Sequence, residues 1–253
     1  MTPDGWTHLR KYSPARIAIG RAGASMPTRE RLDFQLAQAR ARDAVWLPFD
    51  TIALAAALEQ LQPGVVVLTS AATDRGSYLR RPDWGRRLAE AEREKLARAR
   101  ERGPWDLAVV VSDGLSARAT QEQAGRLLAL LLPALRSAGW RVAPLVVVAN
   151  ARVALQDEVG SALAATVSLM LLGERPGLGS PDSLGAYLVF GPGPGKTDAD
   201  RNCVSNIRPA GLAPERAAEK LLYLLGEMRR RRLSGVELKE EMPGLDRRVE
   251  FAG

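Results

Sequence analysis

The chain has 253 residues, of which 46% are hydrophobic and 26% charged, and this balance predicts a globular protein of one large domain or two modest ones. Its single cysteine, Cys203, cannot close an intramolecular disulfide, and its single histidine, His8, excludes histidine-rich metal sites and histidine-based catalytic groups. The sequence contains neither an apolar run of membrane-spanning length nor a signal peptide. We therefore expect a cytoplasmic protein without membrane partners or metal ligands of its own.

The formal net charge of +7 raises the hypothesis of nucleic-acid binding. Only five of the 36 basic residues are lysines, and arginine suits the anchoring of carboxylates and phosphates. However, basic and acidic residues alternate through residues 86–102, and few aromatic residues are available to stack on bases. Nucleic acid is therefore not the expected partner.

Helical periodicity dominates residues 1–103. Two helices are predicted within residues 28–62, separated by Pro48, and a long charged helix is predicted over residues 83–102. A short strand over residues 65–68 lies between them. Gly103-Pro104 ends this mainly helical N-terminal region and is the predicted domain boundary.

Residues 104–238 alternate short apolar runs with helical periods. Strands are predicted at residues 107–111, 142–148, 167–172 and 187–190, and helices at 116–137, 154–165 and 213–232. Continuous apolar strands are typical of a parallel sheet that is covered on both faces. We predict a Rossmann-like, doubly wound α/β domain with a mostly parallel sheet, followed by a mobile tail over residues 239–253.

Ligands of such sheets bind where loops follow the carboxyl ends of the strands. The three candidate loops are residues 112–116, 150–153 and 173–179. Asp113 and Ser116 of the first loop could cap the next helix or orient a ligand. The third loop sets Glu174 and Arg175 beside three glycines, which either let a ligand approach the backbone or form an ordinary turn.

Two later stretches resemble functional motifs but favour structural interpretations. Residues 191–197 lack the first glycine of a phosphate-binding loop, because Phe190 stands there, and two prolines remove amide donors. Residues 202–207 alternate small polar and apolar residues around Cys203. We expect Cys203 to be a buried structural thiol and not a nucleophile, since no histidine could activate it.

Five strings together resemble the small (light) subunit of ethanolamine ammonia-lyase, an adenosylcobalamin-dependent enzyme. They are ARIAIGRAG (15–23), YLRRPDWGRRL (78–88), VVVSDGLS (109–116), LLGERPGLGSPDSL (171–184) and DRNCVSNIRPAG (200–211). The resemblance spans residues 15–238, and GERPGL and NCVSNI, in this order and spacing, are its most specific parts.

The resemblance implies a larger partner subunit whose (β/α)₈ barrel holds ethanolamine, and a higher hetero-oligomer. Adenosylcobalamin would lie between the two subunits and support the radical conversion of ethanolamine to acetaldehyde and ammonia. This carbon-nitrogen lyase reaction would take no principal catalytic side chain from the small subunit, which would be inactive alone. The alternative from another class is a non-enzymatic α/β binding module for a nucleotide or nucleic acid.

Family positions that contact the cofactor fall on Val153, Glu174 and Cys203. By resemblance, Val153 offers backbone groups or apolar contact, Glu174 accepts hydrogen bonds from amide arms of the corrin, and Cys203 packs as a small soft surface. None is expected to ligate cobalt, which would keep its own benzimidazole. The family commonly has glycine where this chain has Ala151, and members that enter bacterial microcompartments can carry a longer N-terminal extension, so encapsulation stays open.

Overall fold

A computed structural model of the chain describes residues 4–13 and 15–242, and this part contains seven α-helices and one six-stranded sheet. The helices are α1 (Thr28–Trp46), α2 (Thr51–Glu59), α3 (Arg75–Arg80), α4 (Arg93–Arg100), α5 (Ala117–Ser137), α6 (Leu155–Ala162) and α7 (Pro214–Arg231). The strands are β1 (Val66–Thr69), β2 (Trp105–Ser112), β3 (Val146–Ala149), β4 (Ala165–Gly173), β5 (Leu184–Phe190) and β6 (Arg201–Ile207).

The sheet is mixed, and its strand order is β1-β3-β2-β4-β5-β6. The first four strands in this order are parallel, β5 is antiparallel to β4, and β6 is antiparallel to β5. The chain passes from β2 to β3 on one side and then to β4 on the other, so the loops that follow these strands converge at one edge. The predicted α/β class is confirmed.

Alternate residues of β2 enter two different cores. Leu107, Val109 and Val111 pack with α5 and α7 on one face of the sheet, and Ala108 and Val110 pack with α4 and α6 on the other. All five side chains are fully buried. A strand that is covered on both faces needs apolar residues at every position, which explains the continuous run in the sequence.

Residues 83–102 do not form the single helix that was predicted. Two short 3₁₀ turns, Trp84–Arg86 and Glu90–Glu92, precede α4. Between them the chain runs beside the end of β1, where Ser70 and Leu88 form an isolated antiparallel bridge. The Leu88 amide also donates to the Glu158 carboxylate at 2.8 Å. These tertiary hydrogen bonds replace the helical ones that local propensity favours.

Strand β6 is absent from the sequence-based prediction because its residues alternate between apolar and polar types. Val204 and Ile207 are buried in the core on the α7 side, whereas Cys203 and Ser205 are exposed. Alternation over residues 203–205 is typical of a strand with only one covered face, and a register shift after Val204 returns Ile207 to the same core. The same alternation sets Cys203 and Ser205 on the face opposite α7.

The strand β1 precedes Gly103-Pro104 in the chain but pairs with β3 in the same sheet. The domain boundary at residue 103 stays a prediction, and the predicted mobile tail lies mainly outside the described residues. None of the helices in residues 4–242 that the structure describes combines the length and apolar character needed to span a membrane.

The buried side of α5 gives a direct test of the first core. Leu131 is fully buried whereas its neighbour Leu130 is 41% exposed. We expect Leu131→Ala to lower the free energy of unfolding by about 2 to 5 kcal/mol, because it opens a cavity, and Leu130→Ala to lower it by only about 0.5 kcal/mol. Urea unfolding followed by circular dichroism measures both; equal losses would contradict this assignment of the helix face.

Candidate functional site

Strands β5 and β6 leave part of one sheet face uncovered. Helix α7 packs against these strands from one side, and on the opposite side the side chains of Tyr187, Cys203 and Ser205 lie beyond α6. Cys203 and Ser205 are exposed, and Tyr187 is partly buried. We call the surface formed by Tyr187, Cys203 and Ser205 the open face. It offers a flat, mildly polar area of sheet at the side of the molecule.

The expectation that Cys203 is a buried thiol is wrong. Cys203 is exposed because it lies on the uncovered face of β6, directly opposite Tyr187 in the strand register. Tyr187 is the cross-strand neighbour of Cys203, and the pKa of the thiol is raised by partial desolvation and, to a smaller extent, by the nearby Glu174 carboxylate. Desolvation is also the main cause of the raised pKa of Tyr187. Both groups are therefore neutral near pH 7.

The Glu174 carboxylate connects the loop after β4 with the start of β5 and the end of β6. One carboxylate oxygen accepts a hydrogen bond from the Ser205 hydroxyl. The other oxygen accepts from the Ser183 hydroxyl and, at 3.2 Å, from the backbone amide of Asn206. A carboxylate offers about four acceptor positions, so three internal donors leave about one. Glu174 is partly buried and lies at the edge of the open face.

The loop that carries Val153 is held by a buried carboxylate at the end of β2. Asp113 forms an ion pair with Arg75 at 2.8 Å, and its other oxygen accepts hydrogen bonds from the Asn150 amide at 2.7 Å and from the Ser112 hydroxyl at 3.0 Å. The Ser112 hydroxyl oxygen in turn accepts from the Ala151 amide at 3.1 Å. Burial raises the pKa of Asp113, and Arg75 opposes that change. Asp113 therefore positions the second loop instead of capping α5, which is the role of Ser116.

The ring of Tyr78 lies between two guanidinium groups, those of Arg75 at 4.8 Å and Arg152 at 4.1 Å from the ring centroid. Arg152 also donates to the Tyr78 carbonyl at 3.0 Å, and its backbone amide donates to the Gly85 carbonyl at 2.7 Å. A Cβ atom at Gly85 would come within 2.8 Å of the Arg152 side chain, so only glycine fits there without a rearrangement. These contacts fix the backbone immediately before Val153.

Val153 lies at the start of α6 and lines a cavity of about 480 Å³ together with Arg201 of β6. Arg201 precedes Cys203 by two residues and lies on the same face of the strand. The fold thus brings Glu174 and Cys203 together at the open face and Val153 to its border. Ala151, where the family commonly has glycine, is buried and does not have a positive φ, so alanine fits this backbone.

Several contributors to this surface carry no strong sequence pattern. Tyr187 belongs to a predicted strand, but its closeness to Cys203 depends on the unpredicted strand β6. Residues 191–197 lead into a 3₁₀ turn, Asp198–Asp200, which Thr197 and Asp200 stabilise with a reciprocal capping arrangement. Within the described ranges, no group of three or more His, Cys, Asp or Glu side chains could hold a metal ion.

Polar loops that converge at one edge of the sheet, beside an open sheet face, are typical of an α/β protein that binds a ligand on its surface. The comparisons specify the family. A family model described as ethanolamine ammonia-lyase light chain matches residues 3–239, so the chain belongs to this family, as its motifs predicted.

Curated relatives agree with this assignment over almost their whole length. The chain is 54% identical over 242 residues to the ethanolamine ammonia-lyase small subunit of Azotobacter vinelandii, covering 95% of this chain and 90% of the relative. It is 53% identical over 240 residues to the subunit of the same name in Xanthomonas campestris pv. campestris, covering 94% and 88%. The Ralstonia nicotianae relative is 51% identical over 250 residues, covering 97% and 93%.

The Asp113 network predicts a specific effect of removing its charge. We expect Asp113→Asn to lower the free energy of unfolding by about 3 to 5 kcal/mol, because Arg75 then keeps a poorly solvated charge without its partner. Hydrogen exchange of the Asn150 and Ala151 amides should become faster. Asp83→Asn is the matched control, since it breaks a solvent-exposed pair with Arg81 and should change little. Equal changes in unfolding free energy and hydrogen exchange for the two variants would show that Asp113 does not position the loop.

Proposed function

We propose that this chain is the small subunit of an ethanolamine ammonia-lyase and acts in a higher hetero-oligomer with a larger (β/α)₈-barrel subunit. The observation that carries the proposal is the grouping of Val153, Glu174 and Cys203 around the open face. Family membership supports it, and so do the names of the relatives. The complex would convert ethanolamine to acetaldehyde and ammonia in the cytoplasm, with substrate and principal catalytic side chains in the partner subunit.

We further infer that the open face receives one side of adenosylcobalamin, whose bound form supplies radical chemistry to the reaction. The residues present fit a broad, flat ring with amide arms. Strands β5 and β6 offer a flat surface, Cys203 is small and uncharged, and Ser205 and Glu174 offer acceptors at its edge. The described helices leave this surface uncovered, so a second subunit could close over a cofactor that lies there.

The roles of the three residues follow from their surroundings. Glu174 has about one acceptor position free and is held in place by its three internal donors. Cys203 packs as a neutral thiol and leaves room for a ring to approach the sheet. Val153 gives apolar contact beside the first backbone amides of α6. No side chain of this group is proposed as a cobalt ligand.

We also propose that the fold is a Rossmann-like, doubly wound domain. Helices pack on both sheet faces and the strand order reverses at β2, which supports this description. The alternative function, a nucleotide or nucleic-acid module, has weaker support. In the glycine- and proline-rich segment at residues 191–197, two prolines lack amide donors and the Thr197 amide already donates to Asp200.

Glu174→Gln tests the proposed site most directly. We expect adenosylcobalamin affinity of the two-subunit complex to fall by about 1 to 3 kcal/mol, because a charge-assisted acceptor is lost. Equilibrium dialysis with corrinoid absorbance measures the affinity. Ser183→Ala is the matched control, since it removes one buried internal donor but keeps the carboxylate and the open face. If both variants lose stability equally and neither loses affinity in the folded fraction, Glu174 is only a structural residue.

Chemical modification of Cys203 tests the proposed corrin surface independently, because Cys203 is the only cysteine of this chain. We expect iodoacetamide to modify it slowly at pH 8, since its raised pKa keeps the thiol protonated, and faster as the pH rises further. Saturating adenosylcobalamin should protect Cys203 in the complex, as measured by mass spectrometry of its peptide. Unchanged modification with bound cofactor would place the corrinoid elsewhere.

A further inference from the structure

The cavity beside Val153 is bordered by three separate segments of the chain. It lies between the start of α6, the turn that precedes Arg87, and the turn between β5 and β6. Its lining residues are Pro82, Arg86, Arg152, Val153, Ala154, Lys196, Thr197, Asp198 and Arg201. A volume of about 480 Å³ is enough for a small polar group such as a sugar phosphate.

The cavity carries an excess of positive charge. Arg201 is neutralised by Asp157 and by Asp198 at 3.3 Å, and Asp198 is the one carboxylate in the lining. Arg86 and Arg152 form no ion pair within the described part of the chain. Lys196 lies 3.8 Å from the exposed Asp200 carboxylate, which is too far for a hydrogen bond. Arg86 and Arg152 therefore face the cavity without an ion-pair partner, and Lys196 is paired only at long distance with Asp200.

Two further features favour an anion over a neutral ligand. The Arg152 Nε atom is buried and donates to no acceptor in residues 4–242 that the structure describes. The cavity also borders the start of α6, which no side chain caps. The N-terminal end of a helix attracts negative charge through the aligned dipoles of its peptide groups. Guanidinium groups recognise phosphate oxygens.

We propose that this cavity is a phosphate subsite that takes the phosphodiester of the nucleotide tail of adenosylcobalamin. The inference rests on the proposed function, since Val153 belongs both to the proposed corrin surface and to the cavity lining. Arg201 connects the two sites, because it lines the cavity and lies two residues before Cys203 on the same face of β6. Arg86 and Lys196 hold the phosphodiester, while Arg152 is fixed by Tyr78 and shapes the wall.

Adenosylcobinamide lacks the nucleotide tail and therefore separates this subsite from the corrin surface. We expect Arg86→Gln and Lys196→Gln each to weaken adenosylcobalamin binding to the two-subunit complex about tenfold, the effect of losing one charge-assisted hydrogen bond. Adenosylcobinamide binding should change less than about twofold. Arg87→Gln is the matched control, because Arg87 is an exposed neighbour that does not line the cavity. Equilibrium dialysis in the dark and thermal unfolding are measured for every variant.

Inorganic phosphate distinguishes the cofactor tail from a free anion. Phosphate should compete with adenosylcobalamin but not with adenosylcobinamide, and Arg86→Gln should remove the competition. If Arg86→Gln and Lys196→Gln weaken the binding of both corrinoids equally, or of neither, the phosphate subsite is overturned. The proposed corrin surface is not affected by that result. If the unmodified complex binds neither corrinoid, the proposed function itself fails. Phosphate binding without competition would assign the cavity to a free anion and also overturn the proposal.

Discussion

The arrangement of the ligand-facing edge depends on the buried carboxylate of Asp113. It lies at the end of the central strand β2 and reaches both the neighbouring loop, through the Asn150 amide, and helix α3, through Arg75. Burying a carboxylate is unfavourable unless it is paired and hydrogen-bonded, and here both oxygens have partners. The same group therefore fixes two segments, one 38 and the other 37 residues from Asp113 in sequence, that would otherwise be independent.

The uneven cover of the sheet explains why the proposed corrin site is an open surface. Around β2 both faces are packed against helices, and every residue there is used for the core. At β5 and β6 the second face is only partly covered, so Cys203 and Ser205 are exposed and Tyr187 is partly accessible to solvent. A rigid sheet supports these side chains from behind. The cost is an exposed thiol and an exposed edge strand, which a partner that covers this side would protect.

The sequence predicts those parts of the fold that local pattern determines. The continuous apolar run of β2 and the periodicity of α5 and α7 are recognisable because both depend on burial. The three loops are also predictable, since they follow from strand ends. Residues 83–102 were assigned to one helix because helix-favouring composition cannot reveal the bridge between Ser70 and Leu88. The exposure of Cys203 and its pairing with Tyr187 depend on the register between β5 and β6, which no local pattern encodes.

Glu174 illustrates how a structural role and the proposed binding role can belong to the same side chain. Its carboxylate accepts the only hydrogen that each of the Ser183 and Ser205 hydroxyls can donate. The Ser205 hydroxyl is exposed, and with its hydrogen directed at Glu174 its lone pairs remain available on the outer side. The serine and the carboxylate together thus present acceptors and no free donor, which suits the N–H groups of an amide arm. Because the internal hydrogen bonds hold these acceptors in place before a ligand arrives, little side-chain entropy is lost when it binds.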